Sequence, residues 1–399
     1  MRILLVHNYY GTSAPSGENV VFEAERDLLR AHGHEVQTFT RHSDTIRGRG
    51  LWGKIVGAFS TICNPFAARA LARQCRAFRP DIVHFHNTFP LISLWTVRAV
   101  AKLAPVVMTL HNYRLVCAAG IPMRDGSICT LCIRGQSVCP GLRHRCYRKS
   151  FLATLPISLS IALYRLFVAR WVSRFIVFSE FQKQMMSANL SSEKMRIKSN
   201  FVMSAPCPND EALRRNVVLY VGRLSDEKGL KTLILAWRLV LVEWRRGVLA
   251  GECPKLVIIG NGDCRSSYER LATGLPVEFW GRRDNAEVRK ELAMVRVCVL
   301  PSECYEGMPM TILEAFAAAT PCVVSDLGAL SSLVEDGRTG FVFKAGDAPA
   351  LATALLRMVR LGEADYRRMC CAAREDYENR FSPEQNYKQL MTIYREVEK

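Results

Sequence analysis

Two carboxylates, Glu306 and Glu314, stand eight residues apart in the segment Glu303–Asp326, ECYEGMPMTILEAFAAATPCVVSD. A strand over Arg296–Pro301 leads into the loop holding Glu306 and Gly307, and a helix from about Met308–Pro309 carries Glu314. Proline suits a first helical turn, where its missing N–H is one of the orphan donors anyway. The start of that helix offers unpaired backbone N–H groups, a ready anion site. One carboxylate beside it and one on the helix wall suit a ligand with a phosphate centre and hydroxyls on either side. The plainer alternative is a buried strand–helix–strand unit with two solvated glutamates. Upstream, Arg223 and Lys228 share a strand-to-helix turn with Gly222 and Gly229 in VVLYVGRLSDEKGLKTLILAWRLV. Both can reach one diphosphate, the guanidinium as a planar fork and the ammonium as a point charge.

The first half carries different chemistry. His7, His86 and His111 each follow or end an apolar run that reads as a strand. In open parallel sheets, ligands gather at the carboxyl ends of strands. A single such histidine is most simply a hydrogen-bonded structural residue, whereas three on successive strand ends point to a cleft. Cys117, Cys129, Cys132, Cys139 and Cys146 then fall within thirty residues, with Arg143, His144 and Arg145 among them. Cys129, Cys132, Cys139 and Cys146 form C-x2-C followed by two further thiols, enough for a tetrahedral structural zinc. The competing reading is a loop packed on buried thiols. A nucleic-acid-binding zinc ribbon is disfavoured, because no aromatic-interleaved basic surface accompanies the cluster.

These residues need a frame of two domains, since 399 residues exceed one ordinary core. Apolar runs alternating with helical stretches predict an α/β chain with doubly wound parallel sheets. Residues 1–205 read as one Rossmann-like domain with a cysteine-rich insert at 112–150, and residues 206–380 as a second. Residues 381–399 form a final helix capped by Ser382, free to cross back to the first domain. Met203–Asn216 has linker composition. The GTSAPSG loop after the first strand lacks the G-x-G-x-x-G dinucleotide fingerprint, though Gly17 would let a phosphate or acceptor approach the next helix.

Charge is lopsided. The net +17 resides wholly in residues 1–205, with 27 Lys+Arg against 10 Asp+Glu; residues 206–399 balance at 27 against 27. That asymmetry suggests an anionic partner for the first half, such as a membrane surface or a lipid diphosphate. Phe151–Tyr164 is apolar but too short to span a bilayer; it reads as a core helix or one that dips into a membrane surface. MRILLV reads as a first buried strand and not as a signal peptide. Fifteen cysteines scattered over both halves fit reduced thiols in a cytoplasm.

With GR-x4-K, G-x-G and E-x7-E in this order, the chain resembles the family 4 glycosyltransferases of the bacterial surface-polysaccharide type. The resemblance covers most of the chain. It implies the GT-B fold, two Rossmann-like domains facing across a cleft, and a retaining transfer without a catalytic cofactor. The co-substrate would be a nucleoside-diphosphate sugar. The acceptor would be a glycan or a polyprenyl-diphosphate-linked glycan at the inner face of the cytoplasmic membrane, and nucleic acid would not be a partner. By the same resemblance, Arg223 and Lys228 hold the donor diphosphate, Glu306 the donated sugar and Glu314 the ribose hydroxyls. Backbone N–H groups of Met308, Met310 and Thr311 touch phosphate and sugar; Pro309 has none to offer. Arg282 falls where the base is held, Gly17 near the phosphates, and His111 contacts the sugar from the first domain. His111, Glu306, Arg223 and Lys228 are then the catalytic set. No D-x-D pair occurs, so the two cations stand where other transferases use a metal. The chain departs from the family pattern at Ser16, Thr320 and Leu330-Ser331-Ser332. Two rivals are a sugar-nucleotide epimerase of the same fold and a zinc-dependent nucleic-acid-binding protein; the charge-neutral second half argues against the latter.

Overall fold

Runs of branched aliphatic residues, buried on both faces, are the mark of parallel strands covered by helices. A computed structural model describes residues 1–11, 16–203, 214–247 and 253–398. The chain divides into two compact units: Met1–Arg124 with Cys129–Asn200 and Asn386–Lys399, and Asp125–Ile128 with Phe201–Gln385. The first unit therefore leaves off at Asn200 and resumes at Asn386; residues 204–213 of the expected linker lie outside the described residues, as do residues 12–15 of the GTSAPSG loop.

In the first unit, strands β1 (Arg2–Tyr9), β2 (Glu35–His42), β3 (Ile82–Asn87), β4 (Val106–Thr109), β5 (Arg174–Val177) and β6 (Met195–Ile197) form one sheet. Its order is β2-β1-β3-β4-β5-β6, parallel throughout. Ile3, Leu4, Leu5 and Val6 of β1 are wholly buried, as such a central strand requires. Helix α1 (Gly17–Ala31) begins at Ser16, whose hydroxyl accepts the Glu18 N–H. The basic stretch after β2 contains α2 (Gly50–Ile62) and α3 (Pro65–Phe78), the latter capped by Asn64 with Pro65 in its first turn. Helix α4 (Phe151–Trp171) is longer than the apolar run predicted and continues through Pro156 and Arg165. Its 21 residues make it the one helix among the described residues long and apolar enough to cross a membrane by length and composition. Thr154, Ile157, Ile161, Tyr164 and Val168 are nevertheless buried within the protein.

The C-terminal helix, Pro383–Arg395, belongs with the first unit from Asn386 onward. Leu390, Met391, Ile393 and Tyr394 join Ile3, Leu5, Phe22, Leu29, Ile82, Val107 and Ile176 in one core. Each such side chain, when fully buried, contributes roughly 1.5–3 kcal/mol.

The second unit has β7 (Arg215–Val221), β8 (Lys255–Ile259), β9 (Val277–Gly281), β10 (Val295–Leu300), β11 (Cys322–Ser325) and β12 (Gly340–Phe343). They pair in the order β9-β8-β7-β10-β11-β12, all parallel. Strand order reverses between β7 and β10, the place where an open α/β sheet leaves a crevice for ligands. Helix α5 (Leu230–Arg245) follows β7 and packs Leu233, Ile234 and Trp237 into the core with Leu256, Val297, Leu351 and Leu355. Helix α6 (Met310–Ala317) follows β10. Pro309 precedes it in extended backbone, so the helix starts a residue later than the sequence suggests.

Candidate active site

The reversal point of the second sheet gathers the polar residues. Gly229 makes that possible: its φ is +68°, and a Cβ there would stand 1.8 Å from the Pro301 carbonyl oxygen. Only glycine lets the loop after β7 lie against the end of β10 this closely. The Glu303 N–H donates to the Glu227 carbonyl at 2.9 Å, binding the two loops together. Thr311 Oγ1 donates to the Val221 carbonyl at 3.4 Å, which sets the first turn of α6 over the end of β7.

Within this frame Lys228 Nζ stands 2.6 Å from Glu306 Oε1, with the two side chains 19% and 13% exposed. Ser302 Oγ donates to the same carboxylate oxygen at 2.6 Å, and Ser325 Oγ in turn donates to the Ser302 carbonyl at 2.6 Å. Burial disfavours both charges, but each partner more than offsets it. Lys228 is accordingly raised above the usual ammonium range, and Glu306 is held below the usual carboxylate range. Arg223 lies largely in solvent, with its guanidinium 3.1 Å from Glu227 and its carbonyl accepting the Tyr220 hydroxyl at 2.8 Å. Arg282 is exposed just past β9, and Met308, Met310 and Thr311 surround the start of α6. Glu314 sits inside α6; burial pushes its carboxyl up to about 7, with Arg289 pulling the other way. The structure thus joins Lys228 to Glu306 directly. It places Arg223 on the loop of that pair, Glu314 within α6 and Arg282 just past the edge strand β9. Ser302 and Ser325 went unnoticed in the sequence, where their only mark is a hydroxyl at or just past a strand end.

The first unit holds a second polar assembly, mostly buried. Glu25 Oε2 accepts from Lys198 Nζ at 2.9 Å, and Glu25 Oε1 lies 3.1 Å from both His86 Nε2 and His84 Nδ1. His86 Nδ1 is 3.1 Å from His111 Nε2. His84 also meets the Tyr394 hydroxyl and Thr109 Oγ1, each at 2.8 Å, and Lys198 reaches Asn386 Oδ1 at 3.2 Å. Glu25, His84 and His86 are the one group of three or more ligating atoms within 4.8 Å of one another among the described residues. The Lys198 ammonium already compensates their carboxylate, so the group reads as a hydrogen-bonded core network. Burial and the neighbouring His86 and His7 hold His111 well below the usual imidazole range. Glu25 accepts from His86 Nε2. A singly protonated His86 therefore accepts at Nδ1 from His111 Nε2–H, leaving His111 Nδ1 as a hydrogen-bond acceptor. His7 bonds Asn19 at 2.9 Å, and Gly17 is exposed at the first residue of α1. Glu25, His84 and Lys198 carried no local sequence signal for this role.

Cys117, Cys129, Cys132 and Cys146 line a common cavity, whereas Cys139 is exposed at the start of a short helix, Cys139–Arg143, and takes no part in the lining.

Two doubly wound parallel-sheet domains are the architecture of the GT-B class of fold. The chain belongs to the glycosyltransferases of that class: residues 16–203 match Glycosyltransferase Family 4, and residues 215–360 match Glycosyl transferases group 1. It is 32% identical over 185 residues to the amylovoran biosynthesis glycosyltransferase AmsK of Erwinia amylovora, covering 44% of each chain. It is 26% identical over 291 residues to a phosphatidyl-myo-inositol mannosyltransferase of Mycobacterium leprae, covering 70% of this chain and 64% of the relative. The matched region thus spans less than two thirds of either relative's length. Among solved structures, Anabaena Alr3699/HepE in complex with UDP and glucose superposes with a TM-score of 0.66 at 17% identity, covering 100% of both chains.

Proposed function

We propose that this protein is a retaining glycosyltransferase that moves a sugar from a nucleoside-diphosphate sugar to a glycan or lipid-linked glycan in surface-polysaccharide synthesis. The observation that carries the reading is the Lys228–Glu306 pair at the reversal point of the second sheet, with Arg223 on the same loop. Breaking the sugar–phosphate bond leaves a diphosphate and an oxocarbenium-like centre. Lys228 and Arg223 stabilise the departing charge, the kind of preorganised electrostatic term that is often the largest in catalysis. Both are protein cations, so in this reading the step needs no metal. Glu306 accepts hydrogen bonds from the sugar, and Glu314, once ionised, from the ribose. Met308, Met310 and Thr311 offer backbone N–H groups to the phosphates, and Arg282 and Gly17 contact the donor's ends. His111 presents Nδ1 as an acceptor to a sugar hydroxyl. Retention follows if the acceptor hydroxyl attacks from the side on which the diphosphate leaves. The UDP in the HepE complex supports a nucleotide donor, and the mannosyltransferase named for phosphatidyl-inositol supports a lipid-bearing acceptor.

A membrane-side location completes the reading. Helices α2 and α4 pack together, and Leu51, Trp52, Phe59, Phe66, Leu152 and Leu166, on and beside them, are 66% to 79% exposed. Arg49, Lys54, Arg148 and Lys149 are exposed around these side chains in sequence. Apolar side chains with flanking cations are the composition of a surface that docks on anionic lipid, here the cytoplasmic face of the membrane. The test is a screen of purified protein against nucleotide sugars with polyprenyl-diphosphate-linked glycans, reading released nucleotide and linkage stereochemistry. Conversion of the donor sugar without any acceptor would make the protein an epimerase instead.

A further inference from the structure

Between β4 and α4 the chain folds around an enclosed cavity of about 20 Å³ walled by Cys117, Cys129, Cys132 and Cys146, with His144 and Arg124 also in its lining. That is room for one ion or one water and too little for a phosphate. None of the described cysteines forms a disulfide. The charges around the thiols are one-sided. Arg165 donates to the Val116 and Cys132 carbonyls at 3.0 and 2.9 Å, and Arg114 donates to the Ala118 carbonyl at 2.8 Å. Arg114 Nε and Arg165 Nε are buried N–H groups with no hydrogen-bond partner. No Asp or Glu lines the cavity. Neutral thiols offer the Arg165 guanidinium no counter-charge from the cavity lining, whereas four thiolates around a divalent cation carry two net negative charges.

We propose that Cys117, Cys129, Cys132 and Cys146 bind one zinc ion as a tetrathiolate site. Four sulfurs in tetrahedral array are a zinc donor set, with Zn–S near 2.3 Å. Each thiol gives its proton to solvent on binding, so four protons leave and the complex meets the Arg114, Arg124 and Arg165 side chains as a dianion. The sulfurs are wider apart than zinc requires, since no three of them come within 4.8 Å of one another. Binding therefore draws the loop inward across the cavity. The segment so tied begins at Asn112, next to His111, so the ion would fix the loop that leaves the sheet beside that histidine. The inference does not rest on the transferase reading.

Elemental analysis of the full chain, purified reduced and without chelator, should find one zinc per chain. Cys139→Ser should keep it, and Cys117→Ser and Cys132→Ser should each lose most of it. Because a ligand variant can misfold, wild-type protein stripped with EDTA and refilled with Co²⁺ gives a second readout. Intense visible bands of tetrahedral cobalt with sulfur-to-metal charge transfer are expected in both wild type and Cys139→Ser. The proposal is overturned by wild-type protein that takes up neither metal, or by zinc lost in Cys139→Ser and kept in Cys117→Ser. Iron with acid-labile sulfide, or thiol titration showing two disulfides, would overturn it equally.

Discussion

Replacing Lys228 by alanine removes an ammonium 2.6 Å from Glu306 Oε1. The pair is mostly but not wholly shielded, so its loss falls between an exposed pair, worth at most about 1 kcal/mol, and a buried one, about 3–5 kcal/mol. Glu306 keeps the Ser302 hydroxyl at 2.6 Å, which limits the penalty of the orphaned carboxylate. A stability cost of about 1–3 kcal/mol results, small enough to leave most of a typical domain's ~5–15 kcal/mol intact. Activity should suffer far more. Losing one preorganised charge donor from the leaving-group site lowers turnover by about 10²–10³, or roughly 3–4 kcal/mol in the barrier. Nucleotide release under saturating donor and acceptor measures the second effect, and urea denaturation the first. Lys228→Arg should recover part of the turnover, since it keeps the charge but not the compact ammonium. A folded Lys228→Ala enzyme with near-wild-type turnover would refute the assignment of the diphosphate site.

Other consequences can be checked alongside. Glu25→Gln strips the counter-charge from Lys198, each side chain being 1% exposed, and should cost about 3–5 kcal/mol in chemical denaturation. A cost under about 1 kcal/mol would mean the network is not ionic. Glu314 titrates near 7 because burial raises it, so donor binding should strengthen as pH rises through that value, and Glu314→Gln should flatten the dependence in calorimetric titrations. The folded state holds that proton more tightly than the unfolded chain does. Its contribution to stability is therefore full below the unfolded value of about 4.5 and falls as pH rises toward 7. Trp52→Ser with Phe59→Ser should abolish co-sedimentation with anionic vesicles while leaving turnover on a soluble acceptor analogue intact. Unchanged sedimentation would remove the lipid-docking role from this face.

Much of the architecture was legible because parallel strands write themselves as short aliphatic runs. Each predicted run from RILLV to FVF holds a strand, but the ends shift, as at β1, which continues to Tyr9 beyond the expected Val6. The places of Arg223, Lys228, Glu306 and Glu314 were legible too, since they lie on loops or helices directly following such runs. What the sequence hid was pairing at a distance. Lys198 meets Glu25 across 173 positions, and Tyr394 meets His84 across 310, with no periodicity to announce either. Among the five thiols, too, spacing alone could not tell that Cys139 faces solvent while Cys117 lines the cavity. The helix was expected to begin near Met308–Pro309, but the extended backbone of Pro309 places it just ahead of the helix.

The return of residues 386–399 to the first unit sets the order in which this protein can mature on the ribosome. Leu390, Ile393 and Tyr394 fill the core beside β1 and β3, and Asn386 holds the buried Lys198. Domains usually fold as they emerge, the N-terminal one first. Here the first unit must wait for the residues after Gln385, while the second can close once Gln385 has left the tunnel. A nascent chain stalled after Gln385 would therefore carry a finished second unit and an open first one. Its apolar core and basic surface would be exposed together until synthesis resumed.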